Sequence, residues 1–143
     1  EWINMKKAKL KYIPIAIYRL TLTVFVGDFN EFYNFIKSGT KDKENDYSDL
    51  LDILKKDKEY PMLCASTYWN GKTRTPIVYL PSLSTKPRDL NDACHELGHA
   101  TRIILEDIGV KTTVDNDEAF QYLQGYLMEQ VYTKDGYEEL QND

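Results

Sequence analysis

The chain has 143 residues, of which 42% are apolar and 29% charged, and this composition is typical of one globular domain with one core. Its formal net charge of −5 disfavours nucleic acid as a partner, because phosphate binding needs a basic face. No apolar run approaches the roughly 20 residues of a membrane-spanning helix, so the sequence predicts no membrane contact.

The N-terminal segment and the cysteines indicate a cytoplasmic protein. Met5-Lys6-Lys7 looks like a native start, and residues 1–4 are then expected to lie outside the native protein. Arg19 interrupts the apolar residues that follow, so this segment does not fit a signal peptide. The lysines at positions 6, 7, 9 and 11 are predicted to form a solvated arm. Cys64 and Cys94 lack a metal-ligand spacing and are predicted to be buried thiols in a reducing compartment.

The first part of the chain predicts a strand followed by two helices. Residues 13–26 alternate with a period of about two and predict one long strand, which Gly27 ends. Asp28 can cap a helix that extends to Gly39. After an exposed loop over residues 40–49, a second short helix is expected to end near Lys56.

A β-hairpin is predicted in the middle of the chain. Asn70-Gly71 separates two strand-like runs, residues 62–69 and 75–80, which is typical of two strands joined by a tight turn. Pro76 and Pro81 bracket the second run, and proline cannot donate a ladder hydrogen bond. The second strand is therefore expected at the edge of the sheet.

Two longer helices are predicted in the C-terminal part. The first begins near Pro87–Asp89 and ends at Gly109, and its apolar stripe is predicted to contain Leu90, Cys94, Leu97, Thr101, Ile104, Leu105 and Ile108. The last helix is expected from about Asp117 to Tyr132, capped by Asp115 or Asn116. Its core-facing residues are predicted to be Ala119, Phe120, Leu123, Leu127 and Val131.

Both histidines of the chain lie in the first of these helices, in the run His95-Glu96-Leu97-Gly98-His99. Residues four apart share one face of a helix, roughly 6 Å from each other, so His95 and His99 can bind a single divalent ion. Glu96 can then take a proton from a water that the metal acidifies, and the resulting hydroxide can attack a carbonyl. This spacing predicts a zinc-dependent hydrolase.

A third ligand must come from elsewhere, because catalytic zinc sites usually have three protein ligands. Glu106 and Asp107 follow His99 on the same helix, but they lie about 10 Å or more along its axis and are too far away. An extended loop after the helix can bring the chain back beside the histidines. Glu118, in the first turn of the last helix, is favoured, with Asp117 and Asp115 as alternatives.

The remaining catalytic groups are less well defined by the sequence. Candidate donors to the oxyanion are Tyr122, Tyr126 and Arg102, and nothing in the sequence chooses among them. A peptide substrate can add as a strand to a sheet edge near the metal. The segment Arg74 to Leu80, which precedes the histidine helix, is predicted to be that edge.

The segment from Cys94 to Met128 resembles the HExxH zinc metallopeptidases, or zincins, whose third ligand is a glutamate on the following helix. The histidine motif followed by Glu118-Ala119 is similar to the ImmA/IrrE-type peptidases, and the order of elements is similar to small zincin-like proteins of phages and prophages. Three features depart from the ImmA/IrrE pattern: the asparagine expected after the glutamate-alanine pair is Gln121 or absent, the two motifs are closely spaced, and no DNA-binding module accompanies them.

The resemblance implies a zinc site with His95, His99 and Glu118 as ligands and Glu96 as general base. It also implies a small α+β zincin-like domain over residues 1–143, in which about three strands pack on the HExxH helix and a C-terminal helix. The expected activity is cleavage of a peptide or protein substrate. The alternative is a non-catalytic phage or prophage protein that keeps this fold and binds a host protein. Intact Glu96 favours the enzyme, since a binder has no need of the base.

Overall fold

The computed structural model describes residues 7–39, 46–58 and 64–140, and over these ranges it shows a five-stranded mixed sheet with four helices. The strands are β1 (Lys9–Ile15), β2 (Leu20–Val26), β3 (Ser66–Asn70), β4 (Thr75–Leu80) and β5 (Glu138–Glu139), and the helices are α1 (Phe29–Gly39), α2 (Ser48–Lys58), α3 (Pro87–Asp107) and α4 (Glu118–Val131). The strand order is β3-β4-β2-β1-β5. The predicted α+β class is confirmed, but the sheet has five strands rather than about three.

The single long strand predicted over residues 13–26 is wrong, because this region folds as part of a hairpin. A 3₁₀ turn over Ala16–Tyr18 separates β1 from β2, and the two strands pair antiparallel from Lys9 opposite Val26 to Ile15 opposite Leu20. Arg19 closes the turn in the left-handed conformation, with φ of 55°. The turn contains no Gly, Pro, Asn or Asp, so the usual sequence signal was missing.

The predicted hairpin of β3 and β4 is confirmed, but β4 is not an edge strand. β4 pairs antiparallel with β3 and parallel with β2, so β3 forms the edge. Pro76 is tolerated because the pairing with β2 begins one residue later, at Ile77. Met62, which was predicted to begin the first strand of the hairpin, and residues 40–45 of the predicted loop lie outside the described residues.

Helices cover both faces of the sheet. α3 and α4 pack on one face, where the buried core contains Ile13, Leu22, Val24, Val78, Leu80, Leu97, Ile104 and Leu127. α1 and α2 pack on the other face, over Leu10, Phe25, Ile77 and Tyr79. All four predicted helices are present, and none of the helices in the described ranges is long and apolar enough to cross a membrane.

The buried faces of the last two helices differ in part from the predicted ones. In α3, Ala93 and Ala100 are buried, whereas Leu90 and Cys94 of the predicted stripe are exposed. Cys64 is exposed as well, so the expectation of buried thiols is wrong. In α4, Leu123, Leu127 and Val131 are buried as predicted, and Ala119 and Phe120 pack against the same core while partly exposed.

The prediction that the N-terminal lysines form a solvated arm is wrong for two of them. Lys9 and Lys11 lie in β1 and are only 8% and 5% exposed. The Lys11 Nζ donates hydrogen bonds to the backbone carbonyls of Gln130 (2.6 Å) and Thr133 (2.7 Å). These carbonyls lie at the C-terminal end of α4, where a cation also interacts favourably with the helix dipole. Lys11 therefore fixes the end of α4 against β1.

Replacing Lys11 with methionine is expected to lower the free energy of unfolding by about 2 kcal/mol, because it leaves carbonyls at the end of α4 without a charged donor. Methionine keeps most of the volume of the side chain, so packing loss is small. Urea denaturation followed by circular dichroism measures the change. The matched control is Lys7→Met, which removes an exposed ion pair to Glu139 and should change stability little. Equal effects of the two substitutions would contradict the capping role.

Candidate metal centre

The histidine motif lies in the middle of α3, and side chains fix both ends of this helix. Near its start, Asp89 accepts hydrogen bonds from the hydroxyls of Ser82 (2.7 Å) and Ser84 (2.5 Å). At its end, one oxygen of Asp107 accepts hydrogen bonds from the Nε (2.9 Å) and Nη2 (2.5 Å) of Arg74, in the turn of the β3-β4 hairpin. The motif therefore lies on an element that is held at both ends, as a preorganised site requires.

Three sides of α3 have different surroundings. One side is buried against the sheet, where Leu97 and Ile104 are fully buried. The opposite side is exposed and presents His95 and His99 to solvent. A third side, between the buried and the exposed one, faces β3 and carries Glu96. The Glu96 side chain is buried there, with the residue only 7% exposed. The 100° step between successive helical residues produces this arrangement, since His95 and Glu96 then point in clearly different directions.

The two imidazole rings converge on one point. The Nε2 atoms of His95 and His99 are 3.1 Å apart, and the ring planes lie at 86° to each other. At this distance one neutral ring can donate its N–H to the other. A tetrahedral zinc ion with Zn–N bonds of 2.0–2.1 Å places two nitrogen ligands roughly 3.4 Å apart, close to the separation seen here. The donor pair thus fits a zinc ion bound through both Nε2 atoms.

The carboxylate of Glu96 is held by the edge strand. Thr67 of β3 is opposite Val78 in the sheet, so its side chain points toward α3. The Thr67 hydroxyl lies 2.9 Å from Glu96 Oε1 and 3.0 Å from the backbone oxygen of Glu96. The other carboxylate oxygen, Oε2, lies 3.9 Å from the Nε2 of His95. One oxygen is therefore fixed by β3 while the other lies near the Nε2 of His95.

Tyr68, the neighbour of Thr67 on β3, is on the opposite face of the sheet and does not compete for this role. Its hydroxyl donates to Asp57 of α2 at 3.2 Å. Burial raises the pKa of Tyr68 to about 12, so the hydroxyl stays protonated at neutral pH. Tyr68 is thus a neutral donor in the core beneath the edge strand.

The other flank of the motif contacts α4. The side-chain amide of Gln124 donates a hydrogen bond of 3.1 Å to the backbone oxygen of Cys94 and lies 3.7 Å from its Sγ. A Cβ added at Gly98 would lie 3.2 Å from the same amide nitrogen. The absence of a side chain at Gly98 therefore allows the close approach of α4 to the histidine motif.

The structure does not bring Glu118 into a group with the two histidines. In the part of the chain that it describes, no three His, Cys, Asp or Glu side chains are clustered as a metal site requires. Glu118 is exposed at the start of α4, six residues before Gln124. Six residues correspond to about 9 Å along a helix and about 240° of rotation, so Glu118 leaves α4 on a different face. Its ligation, like that of Asp117 or Asp115, stays a prediction.

The three candidate donors to the oxyanion lie in two different places. Tyr122 and Tyr126 line an apolar groove of about 490 Å³ against the turn between β1 and β2. Tyr126 also donates to the backbone oxygen of Pro14 at 3.2 Å. Arg102 is exposed and follows His99 by one turn of α3, on the same side of the helix. Of the three candidates, Arg102 is therefore the one that lies on α3, on the same side of the helix as the histidines.

Sequence reasoning missed two residues beside the motif, Thr67 and Gln124. Thr67 could be found only by knowing that β3 is the edge strand and that α3 covers its face. Gln124 is one of several polar residues on α4, and its role depends on how far this helix is rotated about its axis. Neither residue is part of a sequence motif or of a periodic pattern that would have pointed to it.

Comparison with known proteins does not add to these observations. No protein-family model, no curated protein and no solved structure significantly matches the chain. The resemblance to zincins therefore rests on the sequence motifs alone and stays a prediction.

Proposed function

We propose that the protein is a zinc-dependent metallopeptidase whose active site is built on α3. The observation that carries this proposal is the convergence of the His95 and His99 Nε2 atoms, 3.1 Å apart, with a carboxylate oxygen of Glu96 3.9 Å from one of them. Two imidazoles beside a fixed carboxylate are the groups that a zinc hydrolase needs for metal binding and proton transfer.

A zinc ion bound by His95 and His99 would supply Lewis acidity to polarise a peptide carbonyl and acidify water. Glu118 is proposed as the third protein ligand on the resemblance alone, since the structure does not group it with the histidines. Glu96 then takes a proton from the attacking water, whose oxygen forms the new bond to the carbonyl carbon, and passes that proton to the amine nitrogen as the C–N bond breaks. Thr67 holds the Glu96 carboxylate in the orientation for this transfer, as the 2.9 Å contact between their oxygens supports.

The peptide substrate is proposed to add to β3 rather than to the segment Arg74–Leu80 expected from the sequence. β4 already has neighbours on both sides, whereas β3, in the part of the chain that the structure describes, pairs only with β4 and contacts α3 through Thr67 and Glu96. A backbone bound along β3 would therefore lie next to the base. Main-chain hydrogen bonds would supply affinity with little side-chain selectivity.

Replacing Thr67 with valine is expected to reduce kcat by about 10-fold with little change in KM, because loss of a partner that orients a functional side chain typically costs 10–100-fold. The valine keeps the shape but removes the hydroxyl. Thr67→Ser retains the hydroxyl and should recover most of the rate. Steady-state kinetics on the zinc-loaded protein provides the measurement. A serine variant as slow as the valine variant would show that the hydroxyl does not position Glu96.

The proposed activity is tested by incubating the zinc-loaded chain with a library of unrelated peptides and identifying products by mass spectrometry. We expect new peptide ends that require zinc and that are absent when His99 is replaced with alanine. If the zinc-loaded protein produces no cleavage beyond that of the His99→Ala variant, the protein is not a peptidase and the alternative role as a binding protein gains support.

A further inference from the structure

A second groove begins one helical turn beyond the histidines. It has a volume of about 580 Å³ and is lined by Arg102, Glu106, Gly109, Lys111 and Thr112. Arg102 and Glu106 project from α3, and the other three residues belong to the loop that follows this helix. The groove is thus open on the same side of α3 as the candidate metal centre.

The distance between this groove and the histidines suits a bound peptide. Arg102 and Glu106 lie about 4.5 Å and 10.5 Å beyond His99 along the helix axis, at 1.5 Å per residue. An extended peptide advances about 3.3–3.6 Å per residue. A side chain two or three residues from a bond held at the histidines would therefore reach the groove.

The loop wall of the groove is held by hydrogen bonds. Gly109, with φ of 84°, ends the helix in a Schellman arrangement in which the Val110 N–H donates to the Leu105 oxygen at 2.8 Å. The side chain of Asn116 donates to the backbone oxygen of Lys111 at 2.6 Å, and its oxygen accepts from the Thr113 N–H, also at 2.6 Å. Lys111 is therefore presented from a fixed backbone.

The charges that line the groove favour an anion. Arg102 and Lys111 are both exposed, and neither side chain makes a hydrogen bond or ion pair within residues 7–39, 46–58 and 64–140. Two cations therefore face a single carboxylate, that of Glu106, in a chain whose formal net charge is −5. The formal charges of Arg102, Lys111 and Glu106 sum to +1, which the single carboxylate of an acidic side chain neutralises.

We propose that this groove binds an acidic side chain of the peptide substrate, two or three residues from the bond that is cleaved. The substrate class then consists of peptides with an aspartate or glutamate at that distance. The assignment of the ligand to a substrate rests on the proposed peptidase function, whereas binding of the carboxylate itself does not. In this arrangement Arg102 holds the substrate rather than the oxyanion.

Two small probes that differ only in charge test the binding. N-acetyl-glutamate N-methylamide and N-acetyl-glutamine N-methylamide are titrated into the full chain, without and with zinc, and followed by NMR at low salt. The glutamate probe should shift the amide signals of Gly109, Lys111 and Thr112 and bind at least about three-fold more tightly than the glutamine probe. Equal affinities, or shifts confined to other parts of the protein, would overturn the proposal.

Charge-changing variants give effects of opposite sign. Arg102→Gln and Lys111→Gln should each weaken the glutamate probe by about three-fold, whereas Glu106→Gln should strengthen it by a similar factor. The matched control is Arg88→Gln, which removes a positive charge from an exposed position on α3, about 21 Å from Arg102 along the helix axis. If the Arg88 variant weakens binding as much as the other two, the effect is general charge and the groove is not a specific site.

The same titration separates this inference from the proposed function. If the protein binds the glutamate probe more tightly than the glutamine probe but does not bind zinc, the carboxylate site is supported and the peptidase function is refuted. If the protein binds zinc but binds the two probes equally, the peptidase proposal stands and the carboxylate site is refuted.

Discussion

Replacing Glu96 with glutamine is expected to slow hydrolysis strongly while leaving zinc binding unchanged. Glutamine has nearly the same shape and can still accept a hydrogen bond from Thr67, which lies 2.9 Å from the Glu96 carboxylate. It cannot take a proton, and loss of a general base typically costs about 10²–10⁴-fold in rate. We expect a fall of about 10³-fold in kcat on any peptide that the wild-type chain cleaves.

Two measurements are made on the same Glu96→Gln preparation: the rate of peptide cleavage and the zinc content. The conservative Glu96→Asp variant keeps the acid but shortens the side chain, so it should retain a low rate. Wild-type cleavage by the glutamine variant would show that Glu96 is not the base. Loss of cleavage together with loss of zinc would instead show that Glu96 acts through the metal site itself.

Replacing Glu118 with glutamine is expected to weaken zinc binding by about 100-fold. Structural zinc sites with four ligands bind with about 10–16 kcal/mol, so one ligand contributes roughly 3 kcal/mol. Glutamine keeps the length of the side chain but removes the charge that a metal ligand supplies. Competition with a chromogenic chelator measures the affinity of each variant.

The neighbouring carboxylates provide the controls for this experiment. Asp115 and Asp117 lie in the same exposed segment before α4, and their replacement with asparagine should change zinc affinity little. If Glu118→Gln binds zinc like the wild-type chain, Glu118 is not a ligand. A large loss with Asp115→Asn or Asp117→Asn would assign the third ligand to that residue.

Local signals predicted the helices well. Pro87 and Gly109 mark the limits of α3 because one suits a first helical turn and the other adopts a positive φ, and both properties belong to single residues. The pairing of His95 with His99 follows from helical spacing alone, and their nitrogens lie 3.1 Å apart. These features needed no knowledge of the tertiary structure.

The sheet was harder to predict because its turns and edges depend on distant parts of the chain. The turn at Ala16–Tyr18 has an apolar sequence that continues the strand pattern on either side. The edge position of β3 depends on the parallel pairing of β2 with β4, which are far apart in sequence. β5 has only two residues, Glu138 and Glu139, and no strand signal of its own.

The candidate site, like the sheet, was predictable only where its residues are close in sequence. The three residues of the motif are close together because one helix carries them, whereas contacts from other elements were not predictable. Thr67 reaches Glu96 from β3, and Gln124 reaches Cys94 from α4. The orientation of Glu118 depends on the rotation of α4, which is set by the burial of Leu123, Leu127 and Val131. Reach along the chain alone could not specify that orientation.

The zinc content of the untagged full chain tests the central claim most directly. The protein is incubated with excess zinc, freed of unbound metal by gel filtration and analysed by inductively coupled plasma mass spectrometry. We predict about one zinc per chain, and nearly complete loss in His95→Ala and in His99→Ala. A wild-type chain without zinc, or alanine variants that keep it, would contradict the proposed metal centre.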